Sequence, residues 1–469
     1  MKKQTLIYIG IFIVVLAGAL GFGASCATDT PLTQQDIPTS DTIDVNMQRI
    51  ETLYRSIDEN FLFEFDHELI YDEMAKALFA ALDDPYSSYI TEEESQALTD
   101  LAFGVYGGIG AYISKPNPDT IDLDDPQSYR VTIVSPFVGS PAYKAGLHAG
   151  DLISHIDGND VIELTVGEAA SQLRGEPGTI VNLTITRGGS TFKIKVEREV
   201  VEIPTVQHDL IDSVGYIHIL EFTPYTPEKV LEALQSFAET GFTSLIIDLR
   251  SNPGGSVDAS QQIADMFLSD DTVFTLETND PEDTAVVGTQ KQTTIPVNVP
   301  IVMLIDGGSA SSAEILAGAM KDNERVILIG STSFGKGLVQ GVYPYGNDYF
   351  KLTTARYLTP NGSDIHKIGI EPDIPVELEE LTDEQIEEYI TILNEDLFSE
   401  FVIENPVQNQ AVSDSFIQSI ISDGSTLSER YLQRILRLEY QYLMDFPPVY
   451  DLDFDTVLKR ALQYLSEGE

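Results

Sequence analysis

The chain has 469 residues, 42% of them hydrophobic, a length that allows roughly two to four domains with buried cores and excludes an intrinsically disordered protein. Its 75 Asp and Glu outnumber 27 Lys and Arg for a formal net charge of −48, and no basic stripe interrupts the excess, so electrostatics argues against a nucleic-acid partner. Such an acidic surface favours solubility and says nothing about fold.

Residues 1–26 open with Met1-Lys2-Lys3, run through an apolar stretch from Leu6 to Phe22 and reach small residues before Cys26, the pattern of an export signal. Cys26 is the only cysteine, so no disulfide forms within the chain, and it stands where a bacterial lipoprotein is cleaved and acylated. Gly23-Ala24-Ser25 lacks the aliphatic residue usual three positions before such a cysteine. Three readings stay open: a lipid on Cys26, an uncleaved membrane anchor, or cleavage and release. Each puts the rest of the chain outside the cytoplasm, in the cell envelope or periplasm.

Residues 27–44 are too polar to bury and read as a linker. In the following segment, 45–100, Met47, Ile50, Leu53, Tyr54 and Ile57 recur at helical spacing, and Leu69 to Leu82 makes a second amphipathic stretch ending at Asp83-Asp84-Pro85. Two helices are expected there.

Between 101 and 200 the pattern changes to short β-branched runs, Val131 to Val134, Leu152 to Ile156, Ile180 to Ile185 and Phe192 to Val196, punctuated by Gly and Pro. Tyr106-Gly107-Gly108-Ile109-Gly110, Gly139-Ser140-Pro141-Ala142, Ala149-Gly150-Asp151-Leu152 and Asp157-Gly158 follow in that order, and together they resemble a circularly permuted PDZ domain. That resemblance implies a glycine-rich loop at 106–110 whose backbone N–H groups receive a terminal carboxylate, beside a strand edge that takes a peptide as an added strand.

From 201 to 380 strand-like and helix-like segments alternate, Gly215 to Ile219, Pro227 to Thr240, Ser244 to Leu249, Val257 to Leu268, Pro300 to Ile305, Ser312 to Lys321 and Val326 to Gly330, as in an α/β layer. The polar, Thr-rich stretch 273–299 suits a hairpin or lid. Residues 381–469 read as a C-terminal helical region, with stripes at Leu432, Ile435, Leu436 and Leu443 and at Val457, Leu458, Ala461, Leu462 and Leu465.

The chemistry concentrates in two short motifs. Ser311 follows the strand-like run Pro300 to Ile305 and Asp306-Gly307-Gly308, at the expected start of a helix, where orphan N–H groups and the helix dipole favour a developing anion. Ser311-x-x-Glu314 also fits an ordinary capping box. Twenty-five positions on lies Lys336, in Phe334-Gly335-Lys336-Gly337-Leu338-Val339-Gln340. An unperturbed lysine is neutral only about once in a few thousand molecules at pH 7, so a lysine base must be desolvated. Phe334, Leu338 and Val339 are expected to supply the apolar cover, and Gly335 and Gly337 to let other backbone close in. Gln340 would share a face with Lys336 if the stretch were helical.

Ser-Ala-Ser-x-x-Glu, Phe-Gly-Lys-Gly-x-Val-Gln and Asp248-Leu249-Arg250-x-Asn252-Pro253-Gly254-Gly255 together resemble the motifs of the carboxyl-terminal processing peptidases, and the likeness extends over roughly residues 70–380 through Thr353 to Gly362 and Gly369-Ile370-Glu371-Pro372-Asp373. Where that family reads Ser-Ala-Ser-Ala-Ser-Glu, this chain has Ser312-Ala313 before Glu314. The resemblance implies a crotonase-like α/β protease core with an inserted PDZ domain and flanking helical segments. By matched position it implies Ser311 as nucleophile, Lys336 as general base, Gln340 as its orienting residue, and an oxyanion hole from Gly254 or Gly255 with the Ser312 N–H. It also implies that Arg174 of the PDZ domain promotes the active state, that protein substrates are taken by their exposed C-termini without a cofactor, and that terminal helices pair two copies as a homodimer.

The six histidines fall outside both motifs, so a Ser-His-Asp triad has little support, and no His-Glu-x-x-His or paired cysteines suggest a metal site. The main alternative is a catalytically silent, membrane-tethered PDZ scaffold. A weaker one is a crotonase-like enzyme acting on thioesters, for which a PDZ insert has no use.

Overall fold

The computed structural model describes residues 40–92, 105–115, 130–187, 190–290, 293–377, 381–394, 397–442, 444 and 447–467. The apolar leader and Cys26 lie outside them. Among the described residues no helix is long and apolar enough to cross a membrane.

One compact unit holds the N-terminal helices and residues 341–353. Helix α1 (Ser40–Asn60) starts inside the stretch read as linker, and Asp44 in its first turns favours an N-terminus there through the helix dipole. Helix α2 (His67–Ala80) is capped by Asp66, whose carboxylate accepts the N–H groups of Glu68 and Leu69. Strand β1 (Ser88–Ile90) pairs antiparallel with residues 349–351, and the Thr353 N–H donates to Ser87 Oγ at 2.9 Å.

The second unit contains three bodies. The first comprises β2 (Val105–Gly108), β3 (Ala111–Ser114), β4 (Val131–Pro136), α3 (Pro141–Lys144), β5 (Leu152–Ile156), β6 (Asn159–Asp160), α4 (Val166–Leu173), β7 (Ile180–Arg187), β8 (Ser190–Glu197) and β9 (Glu199–Glu202). Its sheet runs β3-β4-β5-β7-β8, all antiparallel, so among the described residues β3 is an edge. Val181, Leu183 and Ile185 of β7 alternate inward to meet Val131, Ile133, Ile153 and Val196, the two-residue period of a sheet with one buried face. A capping box between Thr165 and Glu168 starts α4 beside β3.

The second body is an α/β layer. Its elements are β10 (Val206–Ile211), β11 (Val214–Ile219), α5 (Thr226–Thr240), β12 (Ser244–Asp248), α6 (Val257–Ala264), β13 (Thr272–Thr278), β14 (Ala285–Gly288), β15 (Ile301–Ile305), α7 (Ser312–Asp322), β16 (Ile327–Gly330), the first residues of β17 (Leu338–Tyr345), the last of β18 (Asp348–Leu358) and β19 (Ile374–Pro375). The central sheet is ordered β10-β11-β12-β15-β16-β19, parallel from β11 to β19 with β10 antiparallel at one edge. Strands β12 and β15 are buried along their whole length, as a sheet covered on both faces requires. Leu245, Ile247, Ile301, Met303 and Ile305 face α5, α6 and α7, whereas Ile246, Val302 and Leu304 face the other way. Strands β13 and β14 form an antiparallel hairpin, and β13 pairs with residues 355–358 of β18.

The C-terminal region divides. Helices α8 (Asp383–Asn394), α9 (Leu397–Glu404), α10 (Gln410–Ser422) and α11 (Glu429–Tyr442) share one apolar cluster around Phe398, Val402, Ile417, Leu432 and Leu436. Helix α12 (Thr456–Glu467) instead lays Val457, Leu458 and Ala461 on the open face of the central sheet, against Tyr216, Ile246, Val302 and Leu304. The stripe read from sequence as part of a separate helical region is therefore the second cover of the α/β core. Its register is pinned by charge: Arg250, just after β12, donates to both oxygens of Asp455 at 2.9 and 2.6 Å and to buried Asp248. Asp455 also caps α12 through the Leu458 N–H at 2.8 Å.

Burial opposes ionisation of Asp248, but the adjoining guanidinium more than offsets it and holds the carboxyl below its ordinary range. A depressed folded-state value contributes stability above the ordinary carboxylate pKa that disappears as pH falls through the folded one. Asp455→Ala removes a half-buried ion pair and a helix cap together and is expected to cost about 2–4 kcal/mol. Urea unfolding checks this, and an unchanged midpoint would show that α12 does not depend on the pair.

Candidate active site

Three loops leave the carboxyl ends of adjacent parallel strands: 249–256 after β12, 306–311 after β15 and 331–337 after β16. Open α/β sheets place their ligand sites at this edge. Ser311 belongs to the second loop, Lys336 to the third and Gly254-Gly255 to the first.

Ser311 precedes α7 with φ 56° and ψ −116°. An ordinary helix cap has extended dihedrals, so a plain capping role does not account for this backbone, which costs of order 1–3 kcal/mol to hold. The Ser311 N–H donates to Glu314 Oε2 at 2.9 Å, one arm of the capping box. That carboxylate does more than cap. Glu314 is fully buried in the first turn of α7, and the same Oε2 accepts the Lys336 N–H at 2.8 Å. Its Oε1 accepts the Gly335 N–H at 2.7 Å and Ser333 Oγ at 2.5 Å. One carboxylate thus fastens the backbones of Ser311 and Lys336 to a single oxygen, and their nitrogens are no farther apart than the two bond lengths together.

The loop carrying Lys336 is extended: Ser333, Gly335 and Gly337 are buried, while Phe334 and Lys336 between them are more open. Phe334 is 46% exposed, because the inward positions of this alternation are taken by the groups bonded to Glu314 and Ile370. Val339 does pack on the core. The glycines allow the loop to lie under residues 365–369: a Cβ on Gly335, whose φ is 87°, would stand 2.8 Å from the Gly369 nitrogen, and one on Gly337 3.0 Å from that of His366. Gln340 is not on a helix with Lys336. It lies in β17, which begins at Leu338, whereas Lys336 belongs to the loop before that strand.

In the first loop, a Cβ on Gly254 would meet Ser311 Cβ at 2.7 Å and the Ser312 nitrogen at 2.9 Å, so this glycine lies directly against the nucleophile candidate. Its N–H is engaged by Asn252 Oδ1 at 2.8 Å. Asn252 is fully buried, with Nδ2 on the Ile219 carbonyl and its own carbonyl accepting the Ala310 N–H. Gly255 bridges Phe222 in parallel, with Gly254 O and Ser256 N bonded to the Phe222 backbone. The Gly255 carbonyl accepts Ser312 Oγ at 2.8 Å.

The glycine-rich run of the β-rich body is less of a loop than its composition suggests. Tyr106, Gly107 and Gly108 are in β2, paired with Val201, Val200 and Glu199 of β9, and the Gly107 carbonyl accepts the Gly175 N–H at 3.0 Å. A Cβ at Gly107 would collide with the Gly175 carbonyl at 2.2 Å, which explains the glycine. Only Ile109 and Gly110 form the turn, with Ile109 in the core and both carbonyls bonded to the start of α3 or the residues before it. Arg174, at the end of α4, stacks its guanidinium over the Tyr106 ring 5.0 Å from the centroid. Among the described residues, no group of three His, Cys, Asp or Glu side chains could hold a metal ion.

Residues 213–376 match the family model described as Peptidase family S41, and residues 132–187 match that of the PDZ domain. The carboxy-terminal-processing protease of Bartonella bacilliformis is 35% identical over 70% of this chain and 73% of its own length. The carboxy-terminal processing protease CtpA of Bacillus subtilis is 31% identical over 81% of this chain and 78% of its own. The chain belongs to the carboxy-terminal processing peptidases of family S41. Among solved structures, the photosystem II D1 C-terminal processing protease is 27% identical, covering 75% of this chain and 92% of that one with a TM-score of 0.42. The peptidase is a serine-type enzyme with a mixed α/β core, a PDZ domain and helical flanks, and it acts on peptide or protein substrates.

Sequence reasoning read Glu314 only as a helix cap, and the Ser-x-x-Glu spacing carries no sign of the second loop that it holds. In this peptidase Glu314→Gln keeps the shape but turns an amide toward two donors, and each orphaned N–H costs about 1–3 kcal/mol. Proteolysis and melting temperature are both expected to fall, and full activity would show that the carboxylate does not hold the site. A second group bears on the first loop: burial pushes the Glu221 carboxyl, next to Phe222, up to about 7 from 4.5. The folded peptidase therefore binds a proton that the unfolded chain releases between those values, and stability falls as pH rises through that window. Glu221→Gln should flatten the slope of urea midpoints between pH 5 and 7; an unaltered slope contradicts this.

Proposed function

We propose that the peptidase is an exported endopeptidase that takes protein substrates by their C-terminal ends through its PDZ domain and cleaves them with a Ser311-Lys336 dyad. The observation that carries this reading is the shared bond of the Ser311 and Lys336 N–H groups to Glu314 Oε2, which ties the two loops together at the carboxyl edge of the sheet. The neutral Lys336 amine takes the Ser311 proton as Oγ attacks the scissile carbonyl, then returns it to the leaving amine, and the same amine activates water against the acyl-enzyme. Gln340 orients the amine. The developing oxyanion is received by the Ser312 N–H at the start of α7 and by the Gly255 N–H. Gly255 is favoured over Gly254 because the Gly254 N–H already serves Asn252.

Recognition by the PDZ domain is supported by β3, an edge strand with α4 beside it, which offers the peptide an open ladder. The Ile109-Gly110 turn preceding β3 receives the terminal carboxylate, with Tyr106, Gly107 and Gly108 as its support, and Arg174 transmits occupancy toward the protease core. Export and a membrane tether rest on the apolar leader and Cys26. Exposed Ile43, Val45, Met47, Leu53 and Ile57 on α1 support pairing with a second copy.

Ser311→Ala and Lys336→Ala are each expected to lower the rate of digestion of an unfolded protein about 10³-fold or more with the fold retained by circular dichroism. Either variant cleaving at the wild-type rate contradicts the dyad. Because the amine must lose its proton before it can accept one, kcat/KM should climb about tenfold per pH unit on the acid side. A flat profile down to pH 5 would exclude a lysine base.

A further inference from the structure

Both ends of the strained Ser311 residue are held by buried side chains. Its N–H is held by Glu314; its carbonyl accepts the Tyr357 hydroxyl at 3.1 Å in addition to the Ile315 N–H at 2.9 Å. Tyr357 also reaches the lysine loop, since its own N–H donates to the Gly337 carbonyl at 3.0 Å. On either side of Lys336, then, Gly335 is bonded to Glu314 and Gly337 to Tyr357.

We propose that Tyr357 is a positioning residue for the dyad, its hydroxyl locking the backbone of Ser311 in the attacking conformation while its N–H fixes the loop of Lys336. The proposal rests on the Ser311-Lys336 reading. A backbone at φ 56° and ψ −116° relaxes unless its surroundings determine it. The Ile315 bond exists in any helix and does not select that conformation; the Tyr357 bond comes from a different element, β18, and so does. The ring is 1% exposed and packs edge-on to Phe274 at 6.3 Å between centroids, so the hydroxyl has little freedom to swing away. Burial, and secondarily the Glu314 charge, raise the phenol well above its ordinary value, which keeps it a donor throughout the range in which a lysine base operates. The Ser311 carbonyl retains its Ile315 partner when the hydroxyl is removed, so the loss falls on geometry more than on polar satisfaction.

The test compares wild type, Tyr357→Phe and a protein with para-aminophenylalanine at 357, which keeps a donor at the same ring position, all as the full chain digesting an unfolded protein. Tyr357→Phe removes the hydroxyl but keeps the N–H on Gly337, so it should lower kcat about tenfold or more with KM within twofold, a melting temperature within a few degrees of wild type, and the acid limb of the pH profile in place. The amino variant should recover at least half of wild-type kcat. Three results overturn the proposal: a Tyr357→Phe protein with wild-type kcat, one that fails to fold, or a folded amino variant as slow as Tyr357→Phe. Ser311→Ala in the same assay separates the two levels. If it is inactive while Tyr357→Phe is normal, the positioning role alone fails, whereas an active Ser311→Ala protein defeats the dyad itself.

Discussion

The arrangement depends on one buried carboxylate. Glu314 stands at the third position of α7 and gathers four donors from two loops, Ser311, Ser333, Gly335 and Lys336. Without it, three backbone N–H groups and a hydroxyl lose their acceptors, and the turn after β15 keeps only neutral bonds toward the loop after β16, such as that of the Phe334 N–H to the Ser309 carbonyl. The proposed nucleophile and base leave the ends of separate strands, so such a tie helps to fix their distance. Proximity of this kind is where much of a catalytic advantage originates.

The tie works because its surroundings are rigid. Strands β12, β15 and β16 are parallel neighbours buried on both faces, so their carboxyl ends present three loops in fixed order. Asn252 then joins the first loop to the second through Ala310, and Arg250 joins the first to α12 through Asp455. A substitution in the last helix is thereby connected by charge and packing to the strand that leads into Gly254 and Gly255. The C-terminal segment is a wall of the protease core in its final helix and a separate helical cluster in the four before it.

Much of this was legible in the amino-acid order. The runs at Ser244 to Leu249 and Pro300 to Ile305 are continuous and apolar, and buried parallel strands have little else to choose from. The motifs around Ser311, Lys336 and Gly254-Gly255 announced three loops that the sheet brings together. What was hidden was tertiary. Ser-x-x-Glu has the same spacing whether the glutamate caps one helix or holds a second loop, so the larger role of Glu314 has no local mark. Gln340 lies four residues from Lys336, the spacing of a helical turn, and only strand pairing shows that it stands in β17 while the lysine stays in the loop before it. Tyr106 to Gly108 read as an open loop because glycine is common in loops, yet the glycines serve a close approach to Gly175. Phe334 was expected inside on hydrophobicity, but an extended chain alternates, and its neighbours had the stronger claim to the interior.

The most direct test is a crystal structure of the peptidase with a peptidyl boronate. The boron should be bonded to Ser311 Oγ, one boronate oxygen should face the N–H groups of Gly255 and Ser312, and the Lys336 amine should hydrogen-bond to the adduct, with Glu314 Oε2 still accepting both the Ser311 and Lys336 N–H. A boronate on any other side chain, or a bound state in which the lysine loop has left Glu314, would contradict a site organised by that carboxylate.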